Sequence, residues 1–413
     1  MPLATLPRAL RLTAIAVLSL ASATFASAQY EATSLYTFPS GTQAFPSAVI
    51  MDAAGNLYGT TATGGSCSNP ENCGTVFELS PQTGGGWTET TIYSSPNGTL
   101  GSPLIMDSAG NLYGVVSTGG NSAPKYCDGG CGSVFELSPG AGAWTYTELF
   151  GFHGVDGATP AGALLFDAAG NLYGVTSAGG TPGWGTVYEL TPSTGGWVHK
   201  VLHFFANAND GKRPNSALAI DVAGNLYGVA DGGLYNEGLV FRLTLGSDGV
   251  YRYSYIHAFN TPAKGLSPTG PVLLDAAGDI FGTTLAGGSP RQICNFTSTG
   301  CGLVYELQNT GTGYVEKVLH NFVANIDGQF PQGGLIADSV GNLYGITTFG
   351  VDGNVKIWGT VFELTPTGSA WTENTLYIGT RLLGTFSGGV IRDSAGNLYG
   401  PDNGTSIFQL SPP

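Results

Sequence analysis

Charge is scarce in this chain. Only 10% of its 413 residues are charged, with 14 Lys or Arg against 28 Asp or Glu. The shortage of basic groups excludes nucleic acid and anionic membrane surfaces as partners, because both are held through clustered Lys and Arg. Long apolar runs are missing beyond the first residues, so no later segment approaches a transmembrane helix in length. Helical periodicity is missing as well. There is no nucleophile motif, Walker loop, dinucleotide fingerprint or His-Glu-x-x-His signature, so the common routes to hydrolysis and cofactor chemistry have no local mark. The glycine pairs precede strands, and no helix N-terminus follows them to hold a phosphate.

What the chain does have begins with a leader. Arg8 and Arg11 precede the apolar run Leu12 to Leu20, and Ala26-Ser27-Ala28 is a small-x-small cleavage signal. Residues 1–28 therefore read as a secretory signal peptide and 29–413 as the mature protein. The leader carries two of the 14 basic residues and none of the 28 acidic ones, leaving 12 against 28, a net charge of −16. The expected address is exported, secreted or periplasmic, with no membrane span after processing. The 66 glycines point by composition to disorder. Periodic Val, Leu, Phe and Tyr argue against it, because they can bury a core.

One phrase recurs seven times. Asp52-Ala-Ala-Gly-Asn-Leu-Tyr-Gly59 returns, with small changes, from Asp107, Asp167, Asp221, Asp275, Asp338 and Asp393. The steps are 55, 60, 54, 54, 63 and 55 residues, and the 385 mature residues divide into seven units of 55. A period of this size means stacked or radially arranged supersecondary units. The second copy reads as four strands. Ser102 to Asp107 is a short apolar run, expected to be buried on both faces. A Ser-Ala-Gly-Asn turn leads to a strand from Asn111. After a Gly-rich loop come Cys131 to Leu137 and then the alternating Trp144 to Phe150. Four short antiparallel strands with tight turns make a propeller blade. The last unit stops at its third strand, while Tyr30 to Phe38 has the fourth-strand pattern. The expected fold is all-β: a seven-bladed β-propeller whose N-terminal strand pairs in the last blade and closes the ring, removing exposed sheet edges. In such a ring the first strand of each blade lines the axis. The variable loops share one face, and the Asp turns share the other.

The combination of Asp-x-Ala-Gly-Asn-Leu-Tyr-Gly, Gly-Gly, Gly-Thr-Val-Phe-Glu-Leu and Gly-Gly-Trp resembles the GloVer-type tandem repeat of bacterial exported "choice-of-anchor" proteins. The resemblance implies a secreted repeat protein of uncharacterised role. Such proteins often end in an anchoring segment, and the apolar tail this requires does not follow Ser411-Pro-Pro. The blade also resembles a kelch blade more loosely.

Chemical candidates are few. Cys67/Cys73, Cys127/Cys131 and Cys294/Cys301 sit in equivalent loops, and local disulfides are the preferred pairing among the 15 that six cysteines allow. A zinc site is disfavoured because no His lies near a pair. The seven turn aspartates are expected to satisfy backbone donors, since a group repeated round a ring belongs to the blade design. Glu78, Glu136, Glu189, Glu306 and Glu363 also repeat, as do Asp156, Asp210 and Asp327 in Asp-Gly-x-x-Pro loops. His203, His257 and His320 take a fourth-strand slot filled elsewhere by Tyr36, Tyr93, Phe150 and Tyr377. They read as packing, on different blades, unable to meet at one metal. Trp87, Trp144, Trp197 and Trp371 also read as packing. Tyr126, Trp184, Tyr235, Phe296 and Trp358 lie in second-to-third-strand loops, where rings either stack on a sugar or peptide ligand or cover the blade tops. His153 shares the variable face, either as a ligand contact or as a solvated loop residue.

The chain therefore reads as a non-enzymatic binding or scaffold module for extracellular glycans or cell-surface proteins. It is expected to be a monomer with no cofactor and no bound metal. The alternative is a polysaccharide hydrolase or lyase whose acids, Asp231, Glu237 and Asp352, meet over the channel mouth.

Overall fold

The smallest repeated object, the Asp turn, explains the local architecture. In the computed structural model Asp52 Oδ1 accepts the backbone N–H groups of Ala54 and Asn56 at 2.9 and 2.8 Å. Oδ2 accepts the Asn56 amide at 2.8 Å and the Tyr58 hydroxyl at 3.2 Å. Gly55 takes φ +87°, a left-handed value that a side chain would strain. One carboxylate thus ties the turn to the second strand. The same four bonds recur at Asp107, Asp167, Asp221, Asp338 and Asp393. At Asp275 the backbone bonds remain, but Asp279 and Phe281 replace the two side-chain donors.

The structure describes residues 30–413 except 40–43, 68–72, 120–126, 128, 207–208, 289–293, 295–298, 325, 351–358, 380–387 and 403–404. The turns join strands into seven four-stranded antiparallel sheets. Blade 2 consists of Ile105–Met106, Leu112–Val116, Ser133–Pro139 and Trp144–Gly151. Its second strand is buried along its whole length, and its fourth alternates toward solvent. The inner strand differs from expectation. Ile105 and Met106 are half-buried, because this strand faces an axial space. Blades 3, 5 and 6 have nine-residue inner strands with a register shift, as between Ala161 and Leu165.

Ring closure follows the expected route. Glu31–Thr37 pairs antiparallel with Ser406–Ser411, from Glu31 opposite Ser411 to Thr37 opposite Ser406. That strand completes the sheet containing Ile391–Arg392 and Leu398–Pro401. At the axis, a Cβ on Gly388 would lie 3.0 Å from the Ala48 nitrogen, so blade 7 abuts blade 1 there too.

Hydrophobic wedges hold neighbouring blades together. Phe38, just past the N-terminal strand, packs edge-on against Phe77 of blade 1 at 5.1 Å. Phe152 meets Tyr188, Phe205 meets Phe241, Phe259 meets Tyr305 and Phe322 meets Phe362, at 5.0 to 5.4 Å. Each wedge follows one blade's fourth strand and enters the next blade's core. Ser95 and Gly379 stand in the wedge position at the other two seams. The fourth-strand tryptophans are packing residues as expected: Trp144 reaches back to Tyr58 at 6.0 Å, and Trp371 to Phe281 at 6.2 Å.

Candidate functional site

All seven inner strands converge on one axial cavity of about 580 Å³. Small residues form much of its wall, including Ala48, Pro103, Ala163, Ala217, Gly270, Gly334 and Gly389, one from each blade, beside larger apolar residues such as Phe45, Leu104 and Ile391. The small size follows from crowding. A Cβ on Gly333 would lie 2.6 Å from the Gly389 nitrogen, so bulk at this radius would push blades apart. Among the described residues, none that lines the cavity is titratable. The polar lining comes from Ser47, Asn215 and Ser216. Ser216 is 6% exposed, and its hydroxyl has no partner among the described residues.

Strained backbone recurs at or a few residues before the start of the inner strands. Phe45, Thr159, Arg213, Ser267 and Phe330 have φ between 43° and 58°, and each precedes a proline. A left-handed non-Gly residue costs on the order of 1–3 kcal/mol. The conformation is repaid by a bond across each seam. The N–H groups of Thr159, Arg213, Ser267 and Phe330 donate to the carbonyls of Cys131, Trp184, Glu237 and Cys301 at 2.7 to 2.9 Å. Repetition round the ring makes this a device for joining blades.

The predicted site residues separate against this frame. Trp184 is half-buried and packs on the core shared by blades 3 and 4, while its carbonyl takes the Arg213 N–H. It behaves as packing. Tyr235 is 50% exposed beside Leu234, at 47%, and remains available to a partner. His153 is exposed, with Nδ1 3.2 Å from Asp156, and its backbone N–H donates to the same carboxylate. Tyr126, Phe296 and Trp358 lie outside the described residues. The local disulfides Cys67–Cys73, Cys127–Cys131 and Cys294–Cys301 are all formed.

Two of the three acids proposed to meet over the channel mouth are among the described residues. Asp231 pairs with Arg213 at 3.2 Å, and neither Asp231 nor Glu237 lines the cavity. Asp352 lies outside the described residues. The repeat glutamates are structural where they take the second-strand tyrosine, as Glu363 does from Tyr344 at 2.8 Å.

The histidine slot is an inter-blade contact, which the sequence reading saw only as packing. A slot residue faces, on the next blade, the residue four positions before that blade's own slot. Tyr93 stacks on Tyr146 at 4.6 Å, Phe150 on His199 at 4.1 Å and His203 on Tyr253 at 4.2 Å. His257 instead meets Glu316 at 3.2 Å, and Lys264 reaches the same oxygen at 3.2 Å. His320 lies 2.8 Å from Asp327 and clusters with Glu373. Burial pulls His203 and His257 down to about 4, with Asp210 opposing the shift at His203 and Lys264 reinforcing it at His257. Burial raises Glu316 against the pull of Lys264. Burial likewise raises Glu373; the Thr375 hydrogen bond opposes this and Asp327 adds to it.

Residues 123–300 match the family model of the Gloeobacter/Verrucomicrobia repeat. The matched stretch runs from the cysteine loop of blade 2 through blades 3 and 4 into blade 5. The Gloeobacter/Verrucomicrobia repeat is the one that the GloVer-type resemblance named, and the remaining blades carry the same Asp-x-x-Gly phrase. None of the curated proteins matches the sequence. Among solved structures, a catalytically inactive virginiamycin B lyase from Staphylococcus aureus, with quinupristin, is 12% identical. The alignment covers 93% of this chain and 99% of that one, with a TM-score of 0.57. An ulvan lyase bound to a GlcA–Rha3S saccharide is 12% identical over 92% of this chain and 94% of its own, with a TM-score of 0.55. A protein from Lactobacillus plantarum is 13% identical over 83% and 86%, with a TM-score of 0.53. At these identities the likeness is one of fold. Among the described residues, no helix is long and apolar enough to cross a membrane.

Proposed function

We propose that this chain is an exported, non-catalytic binding propeller that engages an extracellular partner at the variable loop face and the axial cavity. The observation that carries the reading is the cavity wall. All seven blades build it, yet among the described residues none that lines it can transfer a proton near neutral pH. General acid–base catalysis needs such groups within hydrogen-bond reach of the substrate. Small apolar walls with a few hydroxyl and amide groups suit an uncharged group inserted from a glycan or a surface protein. The net charge of −16 after leader removal repels polyanions, so a neutral glycan is the preferred class. Tyr235 supplies an exposed ring in the second-to-third-strand loop of blade 4. The leader and the three disulfides support export.

A second reading, polysaccharide lyase or hydrolase, draws on two similar folds that are lyases. Incubating residues 29–413 with neutral and anionic polysaccharides separates the two. Retention without breakdown, abolished by Ala217→Trp in the cavity wall, supports the binder. Release of unsaturated or reducing ends overturns it. Retention that survives Ala217→Trp removes the cavity from the site.

A further inference from the structure

We propose that the seam between blades 5 and 6 holds a divalent metal ion through His320, Asp327 and Glu373. One ligand atom from each lies within 4.8 Å of the other two. His320 Nε2 and Asp327 Oδ2 are 2.8 Å apart, a hydrogen-bond separation that would open to roughly 3.0–3.5 Å around an ion bound at about 2.0–2.2 Å. Asp327 is 5% exposed. The Val323 N–H holds its other oxygen at 2.6 Å, and the Thr375 hydroxyl holds Glu373 at 2.8 Å, so both carboxylates are oriented.

The repeat provides its own comparison. Lys264-Gly-Leu-Ser-Pro268 aligns with Asp327-Gly-Gln-Phe-Pro331, seven residues after His257 and His320 respectively. Glu316 and Glu373 are the facing residues on the next blades. At the blade 4/5 seam the Lys264 ammonium sits 3.2 Å from Glu316, whose side chain is 1% exposed. There the chain supplies its own cation. At the blade 5/6 seam a carboxylate stands where that cation was. Among the described residues neither Asp327 nor Glu373 pairs with Lys or Arg. Two partly desolvated carboxylates beside an imidazole are stabilised by a bound cation or by a shared proton. One nitrogen and two oxygens form a donor set suited to Zn²⁺ or Mn²⁺. The blade 3/4 seam has only Asp210, because Tyr253 faces His203. This site is at the outer strands and is independent of the axial binding reading.

The test is calorimetric titration of the chelator-stripped mature chain with Zn²⁺ and with Mn²⁺, alongside thermal melts. One ion per chain is expected, with a higher Tm on addition. Glu373→Gln should weaken binding about tenfold or more and abolish the Tm shift. Asp327→Lys, which copies the neighbouring seam, should do the same. His153→Ala should change neither, since its loop holds a separate His–carboxylate pair. Glu373→Gln keeps the side-chain shape and decides the matter if Asp327→Lys does not fold. Absence of binding up to millimolar metal, or binding unchanged by Glu373→Gln, overturns the proposal and leaves a proton on the cluster as its counter-charge.

Discussion

Replacing Phe38 by alanine tests ring closure most directly. Phe38 is 7% exposed and joins the core formed by Leu35, Val49, Phe77 and Ile407 from the two ends of the chain. Its N–H donates to the Thr405 carbonyl at 2.6 Å, one residue before the strand it latches. Truncating a buried Phe to Ala costs about 3–5 kcal/mol, including the lost contacts and the cavity left behind. Native domains hold only about 5–15 kcal/mol in total, so the loss is a large share. Phe259→Ala is the matched control: it is 0% exposed and 5.2 Å from Tyr305 in an interior seam. In a closed ring the terminal seam is as necessary as any other, and the two variants should lose comparable stability. Urea unfolding followed by both far-UV circular dichroism and tryptophan fluorescence measures this, with coincident curves as the two-state check. A loss below about 1 kcal/mol for Phe38→Ala, with Phe259→Ala at full cost, would mean that the N-terminal strand frays independently. The latch argument would then fail.

Three further outcomes follow from the same contacts. Gly238→Ala meets Pro268 of the next blade and starts from φ +91°, so it should cost about 2–4 kcal/mol, whereas Gly249→Ala, in open space at φ +73°, should cost about 1; equal melting shifts would contradict this. Trp184→Ala should lower Tm by several degrees, whereas Tyr235→Ala should leave Tm unchanged and weaken retention on the partner, so the reverse pattern in melts and pull-downs would invert the two roles. Stability should fall with acid in two windows. His203 is neutral in the fold down to about 4, so between its unfolded value of about 6.5 and 4 the unfolded chain binds the extra proton and stability drops; His203→Phe should remove part of that slope. Burial raises the six turn aspartates that retain Tyr, but hydrogen bonds from Asn, the backbone and Tyr outweigh it and lower them overall. Their contribution is complete above about pH 4 and is lost as pH falls through the lower folded values. A Tm that stays flat from pH 5 to about pH 2.5 would refute this last point.

The sequence by itself determined the blade count, the four-strand unit, the closing strand and the structural task of the Asp turns, while the structure settled the cysteine pairing. These rest on interactions that repeat or that span few residues. Asp52 reaches Ala54, Asn56 and Tyr58, all within six positions, so short-range spacing is enough to read them. A further signal was legible but unread: phenylalanine recurs two places after the aromatic slot, at Phe38, Phe152, Phe205, Phe259 and Phe322. Only the tertiary structure decided what crosses a seam. His320 meets Glu373 and His257 meets Glu316 because each ring position faces the next blade, some fifty to sixty residues along, at an angle set by seven-fold closure. The small-residue wall of the axial cavity has the same origin. It depends on how closely seven inner strands approach one axis, a distance fixed by packing between blades and invisible in the local order of residues along any one of them.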